Sequence, residues 1–394
     1  MTTDPVVAVL LSRLRELREK AGVSQEELDA RLILGPGWVR RFESGQTIPT
    51  LDVLVVLLSA LGYEMSDLIA DLALPAEGET TAAAVDRFLS AEETDSDVLI
   101  VHFRYADYDA TYRLSGATMD EFEDVIRVLR DGLAALGSEV AVDESAIKTS
   151  AVARAFLRAM ELWPEANPSD IWWFVVSRAY LDPFNHPANY ARLDLGQSWK
   201  RTGGWALEEI LVRHYGPALA KEGVRIVIAS TAERRHYISQ LAVADRLEAD
   251  KMDVLLLGDK DGELRCFGVV HVKASFAERR TDDVPMSKAL VEAGYCSPLW
   301  TMDSKSTPSE EPVNRGELGA LMADGADKRS AKRKDIEDDG YFSACFSYNR
   351  RTRPTPASQA ARARIYVCDF SDPAGDAFAR FVIDAWKRLR DNAV

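Results

Sequence analysis

No apolar run in this sequence reaches the roughly 18 to 20 residues that a membrane span needs. The most apolar stretch, Leu51 to Leu61, is only helix-length and carries Asp52 and Ser59. Met1 to Val9 has neither the basic start nor the small-residue cleavage site of a signal peptide, so the expectation is a cytoplasmic protein with no membrane partner. Cysteine is scarce: Cys266, Cys296, Cys345 and Cys368 are widely spaced, with no CxxC and no Cys/His pairing at zinc-ligand intervals. That excludes a zinc module and leaves reduced core thiols. Positive charge is short as well. The net charge of −15 runs against a nucleic-acid partner, since Lys and Arg on phosphates supply most non-specific affinity.

The distribution of charge matters more than its sum. Residues 64 to 131 hold five basic against seventeen acidic residues, which concentrates the acid in the middle of the chain, whereas residues 1 to 62 are nearly balanced at seven against eight. Residues 328 to 368 reverse the sign, with ten basic residues against four acidic. A chain of 394 residues also exceeds one ordinary core, so two or three domains are expected.

The first sixty residues read as helices. Val9, Leu10, Leu14 and Leu17 recur at helical spacing, with Arg13, Arg15, Arg18 and Glu19 on the charged face. Gly22 closes that helix, and Ser24 with Glu27 forms a capping box opening a second one through Arg31. Pro36 suits the first turn of a third helix, ended by Gly45 and Pro49, and Leu51 to Leu61 closes the core. This order, from Leu14, Arg18 and Gly22 through Ser24-Gln25-Glu26, Leu28, Val39, Phe42-Glu43, Gly45, Pro49 and Leu54 to Leu61-Gly62, resembles the repressor-type helix-turn-helix family. The resemblance implies that Gln25 ties the second helix to a phosphate while Gly37, Trp38, Arg40 and Arg41 face base edges and backbone. The Gly-Pro-Gly start of the third helix departs from the family's polar pattern.

Residues 72 to 90 read as a linker leading into a small helix. Val98 to Tyr105 and Thr111 to Leu114 are expected to pair as a hairpin, and Met119 to Leu136 is strongly helical. This acidic α+β module carries no motif tied to chemistry and reads as a spacer or dimerisation element.

From residue 146 the pattern is α/β. Helices are expected at Ala146 to Leu162 and Pro168 to Tyr180. Gly203-Gly204-Trp205 then precedes a helix from Ala206 to Tyr215 bearing Glu208 and Glu209. Strands follow at Ile226 to Ala229 and Met252 to Leu257, and a turn at Asp259-Lys260-Asp261-Gly262 leads into Leu264 to Val272 and Lys273. Further strands are expected at Ser297 to Pro308, Tyr341 to Tyr348 and Arg364 to Phe370, with a closing helix from Asp376 to Asp391. The basic segments Lys328 to Lys334 and Arg350 to Arg364 look too charged for core and suited to phosphate contact. Phosphodiester hydrolysis needs carboxylates to hold a divalent cation and a lysine beside the attacking water. An acid entering one strand and a lysine leaving its hairpin partner can meet at one sheet edge, which is where Asp253 and Lys273 would lie. Taken alone, an acid before an apolar strand and a lysine after one are common strand-end residues in any α/β protein.

The wider pattern from Trp205 to Pro308 resembles the PD-(D/E)xK nuclease superfamily, and more narrowly type II restriction endonucleases of the BsaWI kind, whose relatives cut sites containing CCGG. That resemblance implies Glu208 as the helix acid and, as the alternative to Glu292, a metal ligand beside Asp253, with Lys273 as the catalytic lysine. It also implies Arg280 and Asp282 as readers of C·G pairs, and Glu292 as the acid completing the metal site. Where the superfamily has Asp or Glu two residues before the lysine, this chain has His271, so an acid recruited from a neighbouring helix, Glu292 or Glu278, is expected to substitute. The expectation is a multidomain protein: an all-α helix-turn-helix domain (1–71), an acidic α+β module (72–145) and an α/β restriction-endonuclease-like domain with a central mixed sheet (146–394). Its function would be Mg²⁺-dependent cleavage of double-stranded DNA as a homodimer. The alternative is a helix-turn-helix transcriptional regulator or controller protein with a non-catalytic C-terminal domain, and whether Asp253 and Lys273 converge discriminates between the two.

Overall fold

The capping box at Ser24 forms as written. In the computed structural model Ser24 Oγ accepts from Glu27 N at 3.1 Å, and Glu27 Oε2 accepts from Ser24 N at 2.8 Å, which satisfies two otherwise orphaned donors at the start of a helix. The structure describes residues 5–32, 37–44, 51–69, 89–94, 98–105, 108–134, 143–181, 195–275, 280–304, 314–319, 321 and 329–392. Their contacts divide the chain into two compact units, residues 1–85 and 86–394.

The first unit is helical: α1 (Pro5–Lys20), α2 (Gln25–Arg31), α3 (Trp38–Glu43), α4 (Leu51–Leu61) and α5 (Met65–Ile69). Leu14, Leu17, Leu28, Val39, Phe42 and Leu58 form its core. Asp29 holds the start of α3, accepting from Gly37 N at 2.7 Å and Val39 N at 2.9 Å. Arg18, expected on the charged face of α1, is buried instead. Its guanidinium forks onto Glu43 at 2.5 and 3.0 Å and donates to Val23 O at 2.8 Å, and this bidentate pairing is what allows a charge to sit there. Pro36, Gly45 and Pro49 lie outside the described residues.

The second unit opens with an antiparallel meander, β1 (Leu89–Thr94), β2 (Val98–Tyr105) and β3 (Tyr108–Ser115). The expected helix after the linker is therefore a strand at its described end: Leu89 to Thr94 pair with Phe103 to Val98. Helix α6 (Met119–Leu133) packs on α7 (Glu144–Leu162). Leu99, Val101, Tyr112, Phe122 and Val125 share one core with Phe156 and Trp172, so the acidic segment packs into the larger unit rather than standing as a module of its own.

Helix α8 (Pro168–Leu181) leads to α9 (Leu195–Ala220). Gly203 and Gly204, expected to precede a helix, lie inside α9. Each glycine costs about 1 kcal/mol there, and burial of Ala206, Leu207, Ile210, Leu211, Tyr215 and Leu219 on one stripe outweighs it.

The main sheet runs β4 (Val224–Val227), β5 (Val254–Lys260), β6 (Glu263–Lys273), β7 (Leu299–Thr301), β8 (Cys345–Ser347) and β9 (Ile365–Val367) in that spatial order. The first three strands are antiparallel and the last four run parallel. Helices α10 (Thr231–Ile238), α11 (Arg280–Glu292), α12 (Ala331–Glu337) and α13 (Ala377–Asn392) complete the unit. The three longer strands expected after residue 297 shrink to three residues each. Parallel strands buried on both faces need only a short ladder when helices cover them. Among the described residues no helix is long and apolar enough to cross a membrane.

Candidate active site at the β5–β6 hairpin

The site is built on one hairpin. Asp261 and Gly262 both have positive φ, 58° and 86°, the pair of left-handed residues that a tight two-residue turn between twisted strands requires. That turn sets the register as far as Leu257↔Cys266, and a β-bulge between Leu256 and Leu257 then shifts it by one residue to Val254↔Val270, which brings Asp253, one residue before β5, level with the last residues of β6. Glycine is obligatory at 268 on β6, because a Cβ there would lie 1.9 Å from Cys296 O. This close approach aligns the segment entering β7 beside the site strand.

The expected pair converges. Asp253 Oδ2 accepts from Lys273 Nζ at 2.7 Å and from Val272 N at 2.8 Å, with both side chains buried. The regulator reading required no such convergence, and the nuclease reading did. A third group completes the site that the sequence did not single out: Asp283, on the first turns of α11, sits 3.4 Å from Lys273 Nζ and 3.7 Å from His271 Nδ1. Burial raises its carboxyl's pKa, but His271 and Lys273 more than offset that and hold it below the ordinary carboxylate value. Its neighbour Asp282 is the residue that the resemblance assigns to base contact. The signal available in the sequence was the Asp282-Asp283 doublet followed by an apolar helix.

One donor atom each from Asp253, His271 and Asp283 lies within 4.8 Å of the others. All three residues are buried, and His271 is fully so. His271 Nδ1 has no hydrogen-bond partner, and Asp283 Oδ2 has only the Lys273 ammonium, at 3.4 Å. A buried ring nitrogen without a partner beside two carboxylates is costly in an apolar interior, and a divalent cation would satisfy it. The donor set therefore fits a metal ion.

The other expected residues fall elsewhere. Glu292, on the same helix as Asp283, is half exposed and paired with Arg246 at 3.4 Å and Lys288 at 3.7 Å. Nine residues at roughly 100° each place it on the opposite face of α11 from Asp283. Glu208 is buried on α9, outside the three-donor group. Arg280 and Asp282 form the start of α11, and their side chains, like all of Glu278, lie outside the described residues. In the first unit Gln25 Nε2 donates to Glu43 at 2.5 Å. Gly37 is the N-cap of α3 in the left-handed region (φ 80°), Arg40 is exposed, Arg41 is half-buried, and the Trp38 side chain lies outside the described residues.

The basic segments expected at phosphates are partly core. Arg333 is fully buried and Arg329 nearly so, both paired with Glu337, at 2.7 and 3.1 Å. Arg351 pairs with Asp170 at 2.8 Å and Arg350 with Glu165 at 3.0 Å. Arg329 and Arg333 thus belong to an internal ionic network, while Arg350, Arg351, Arg353 and Arg362 are exposed. Lys328 lies outside the described residues. The four cysteines are free and buried, and burial pushes Cys266 up to about 11 and Cys296 and Cys368 up to about 12.

Residues 10–72 match a helix-turn-helix domain family, and residues 229–370 match the BsaWI restriction endonuclease type 2 family. The chain is 41% identical over 229 residues to the type II restriction enzyme AgeI of Thalassovita gelatinovora, an alignment spanning 56% of this chain and 78% of that protein. The chain belongs to the type II restriction endonucleases. Its fold agrees: the crystal structure of the specific AgeI restriction endonuclease–DNA complex superposes with a TM-score of 0.60 at 33% identity, covering 73% of this chain and 99% of that one. In this restriction endonuclease the matched segment begins just after β4 and ends just past β9, and so contains Asp253, His271, Lys273 and Asp283. The N-terminal unit is a helix-turn-helix domain, and α11 places the Asp283 carboxylate beside Lys273.

Proposed function

We propose that this restriction endonuclease hydrolyses both strands of duplex DNA with Mg²⁺ held by Asp253 and Asp283, and with Lys273 at the reacting phosphate. The observation that carries this reading is the meeting of Lys273 Nζ with both carboxylates, at 2.7 and 3.4 Å. A bound divalent cation supplies Lewis-acid polarisation of the scissile phosphate. The chain's own residues do the rest. The Lys273 ammonium, anchored on Asp253, donates hydrogen bonds that orient the attacking water and meet the charge growing on the phosphoryl oxygens. Asp253 is held in turn by the Val272 amide on the same oxygen as Lys273, which would leave its other oxygen for the cation. No side chain here is placed as a nucleophile, and no covalent intermediate is required.

Arg280 and Asp282 begin the helix whose next residue is Asp283. Base reading by that turn would therefore be tied within one helical turn to the metal site, and the family resemblance makes a CCGG-containing sequence the target to try. One centre cuts one strand, so double-strand cleavage calls for a homodimer on a two-fold site. The helix-turn-helix unit adds duplex affinity through Gln25, Gly37, Trp38, Arg40 and Arg41, and the protein works in the cytoplasm, where its DNA is. The deciding experiment incubates the purified chain with unmethylated plasmid, with and without Mg²⁺, beside Lys273→Ala. Discrete Mg²⁺-dependent fragments from the parent alone support the reading. Intact plasmid in every lane, with binding seen by gel shift, would overturn it.

A further inference from the structure

Position 271 faces the site with an imidazole where the resemblance leads one to expect a carboxylate, and three features of that imidazole are unusual together. It is fully buried. Its Nε2 is tied to Ser297 Oγ at 3.0 Å, and Ser297 Oγ to Ser287 Oγ at 2.7 Å. Its Nδ1 has no hydrogen-bond partner and lies 3.7 Å from Asp283 Oδ1. That separation is too long for a hydrogen bond. It is close to the edge, about 3 to 3.5 Å, between two ligands sharing one cation at about 2.1 Å each. Ser287 Oγ also lies 3.4 Å from Ser297 O. A serine chain running toward that carbonyl leaves Ser297 Oγ to accept from His271 Nε2–H, which puts the lone pair on Nδ1. A second partner that fixes the tautomer of a ligating histidine is the usual support of such a ligand. Phe342, edge-on at 5.4 Å between ring centres, holds the ring orientation.

We infer that His271 Nδ1 is a direct ligand of the cation held by Asp253 and Asp283, making a one-nitrogen, two-carboxylate site that prefers Mn²⁺ over Mg²⁺. The inference rests on the metal site proposed above and goes beyond it in naming a third ligand and the metal it selects. Imidazole adds little affinity for Mg²⁺, which takes oxygen ligands and dehydrates reluctantly, but it strengthens binding of first-row transition metals. The Asp–His–Asp set should therefore bind Mn²⁺ roughly tenfold or more tightly than Mg²⁺, while an all-carboxylate site would separate the two far less.

The test uses the full-length chain and Mn²⁺ alone as probe, read by electron spin echo modulation and by calorimetric competition with Mg²⁺. The expected result is nitrogen-14 modulation from a directly bound imidazole in the parent chain. In His271→Gln, which keeps a donor for Ser297 and removes the Nδ1 ligand, Mn²⁺ stays bound but the modulation vanishes and the Mn²⁺/Mg²⁺ preference falls to within about threefold. Mn²⁺ bound without nitrogen modulation in the parent, and released by Asp253→Asn, would overturn the histidine ligand while leaving the two-carboxylate site standing. Absence of any Mn²⁺ binding sensitive to Asp253→Asn would overturn both. The parent spectrum decides the matter even where His271→Gln fails to fold.

Discussion

Two buried ionic clusters lie in the larger unit, and they differ in one respect. Around Glu337 every acceptor position is taken. Its two oxygens receive Arg333, Arg329, Thr355 and Gln359 at 2.7 to 3.1 Å, about the four bonds a carboxylate can accept. Arg333 in turn donates from Nε to Leu318 O and from Nη2 to Arg353 O. Around Asp253 and Asp283 the geometry is as tight, yet His271 Nδ1 has no hydrogen-bond partner and Asp283 Oδ2 has only Lys273 Nζ, at 3.4 Å. Saturation marks a cluster that holds the fold together, whereas a cluster with sparsely partnered donor atoms has the capacity to take a ligand. Burial alone does not separate the two, because both are almost wholly removed from solvent.

The contrast breaks most visibly at Lys273. Lys273→Met should cut cleavage per folded molecule roughly a thousandfold, about 4 kcal/mol of transition-state stabilisation, beyond any drop in the denaturant midpoint from leaving Asp253 and Asp283 without their cation. A loss of activity that only tracks the unfolded fraction would instead make this cluster structural like the other. Next comes Arg333→Met, which strands Glu337 without its closest cation. Unfolding should become easier by about 3 kcal/mol or more, read by chemical denaturation, while cleavage per folded molecule holds. If activity collapsed before stability did, the saturated cluster would have to be moved to the catalytic side.

Asp283 and Glu292 sharpen the comparison within one helix. Asp283→Asn should lower cleavage by roughly 10- to 100-fold, whereas Glu292→Gln, on the opposite face, should change it by less than about twofold. Equal losses in a titrated cleavage assay would return the second acid to Glu292. The smallest effect is expected at Asp29, whose two oxygens are both taken by backbone amides at the start of α3. Asp29→Ala should cost about 1 kcal/mol of stability in the helix-turn-helix unit. That loss should appear in its thermal transition, together with weaker duplex binding but an unchanged cleavage rate at saturating DNA.

Sequence alone determined what depends on near neighbours in the chain. The capping box of Ser24 and Glu27, the stripe of Leu14 and Leu17, the turn at Asp261-Gly262 and the strands either side of it follow from local sterics and periodicity. The convergence of Asp253 and Lys273 at one sheet edge followed in outline, because a two-residue hairpin brings its strand ends together, but the bulge at Leu256/Leu257 that sets their final register did not. What the sequence did not single out was Asp283, since the rotational phase of α11 against the sheet, which turns Asp283 toward Lys273 and leaves Glu292 exposed, is set by packing. Nor could it separate the basic residues of the 328–364 stretch that point to solvent from Arg333, buried against Glu337. Two glycines in α9 spelled a break that burial of its apolar stripe overrode, and Arg18 spelled a surface charge that Glu43, twenty-five residues on, drew into the core. In each of these cases the deciding partner is distant in sequence, and only the tertiary structure brings it within a bond's length.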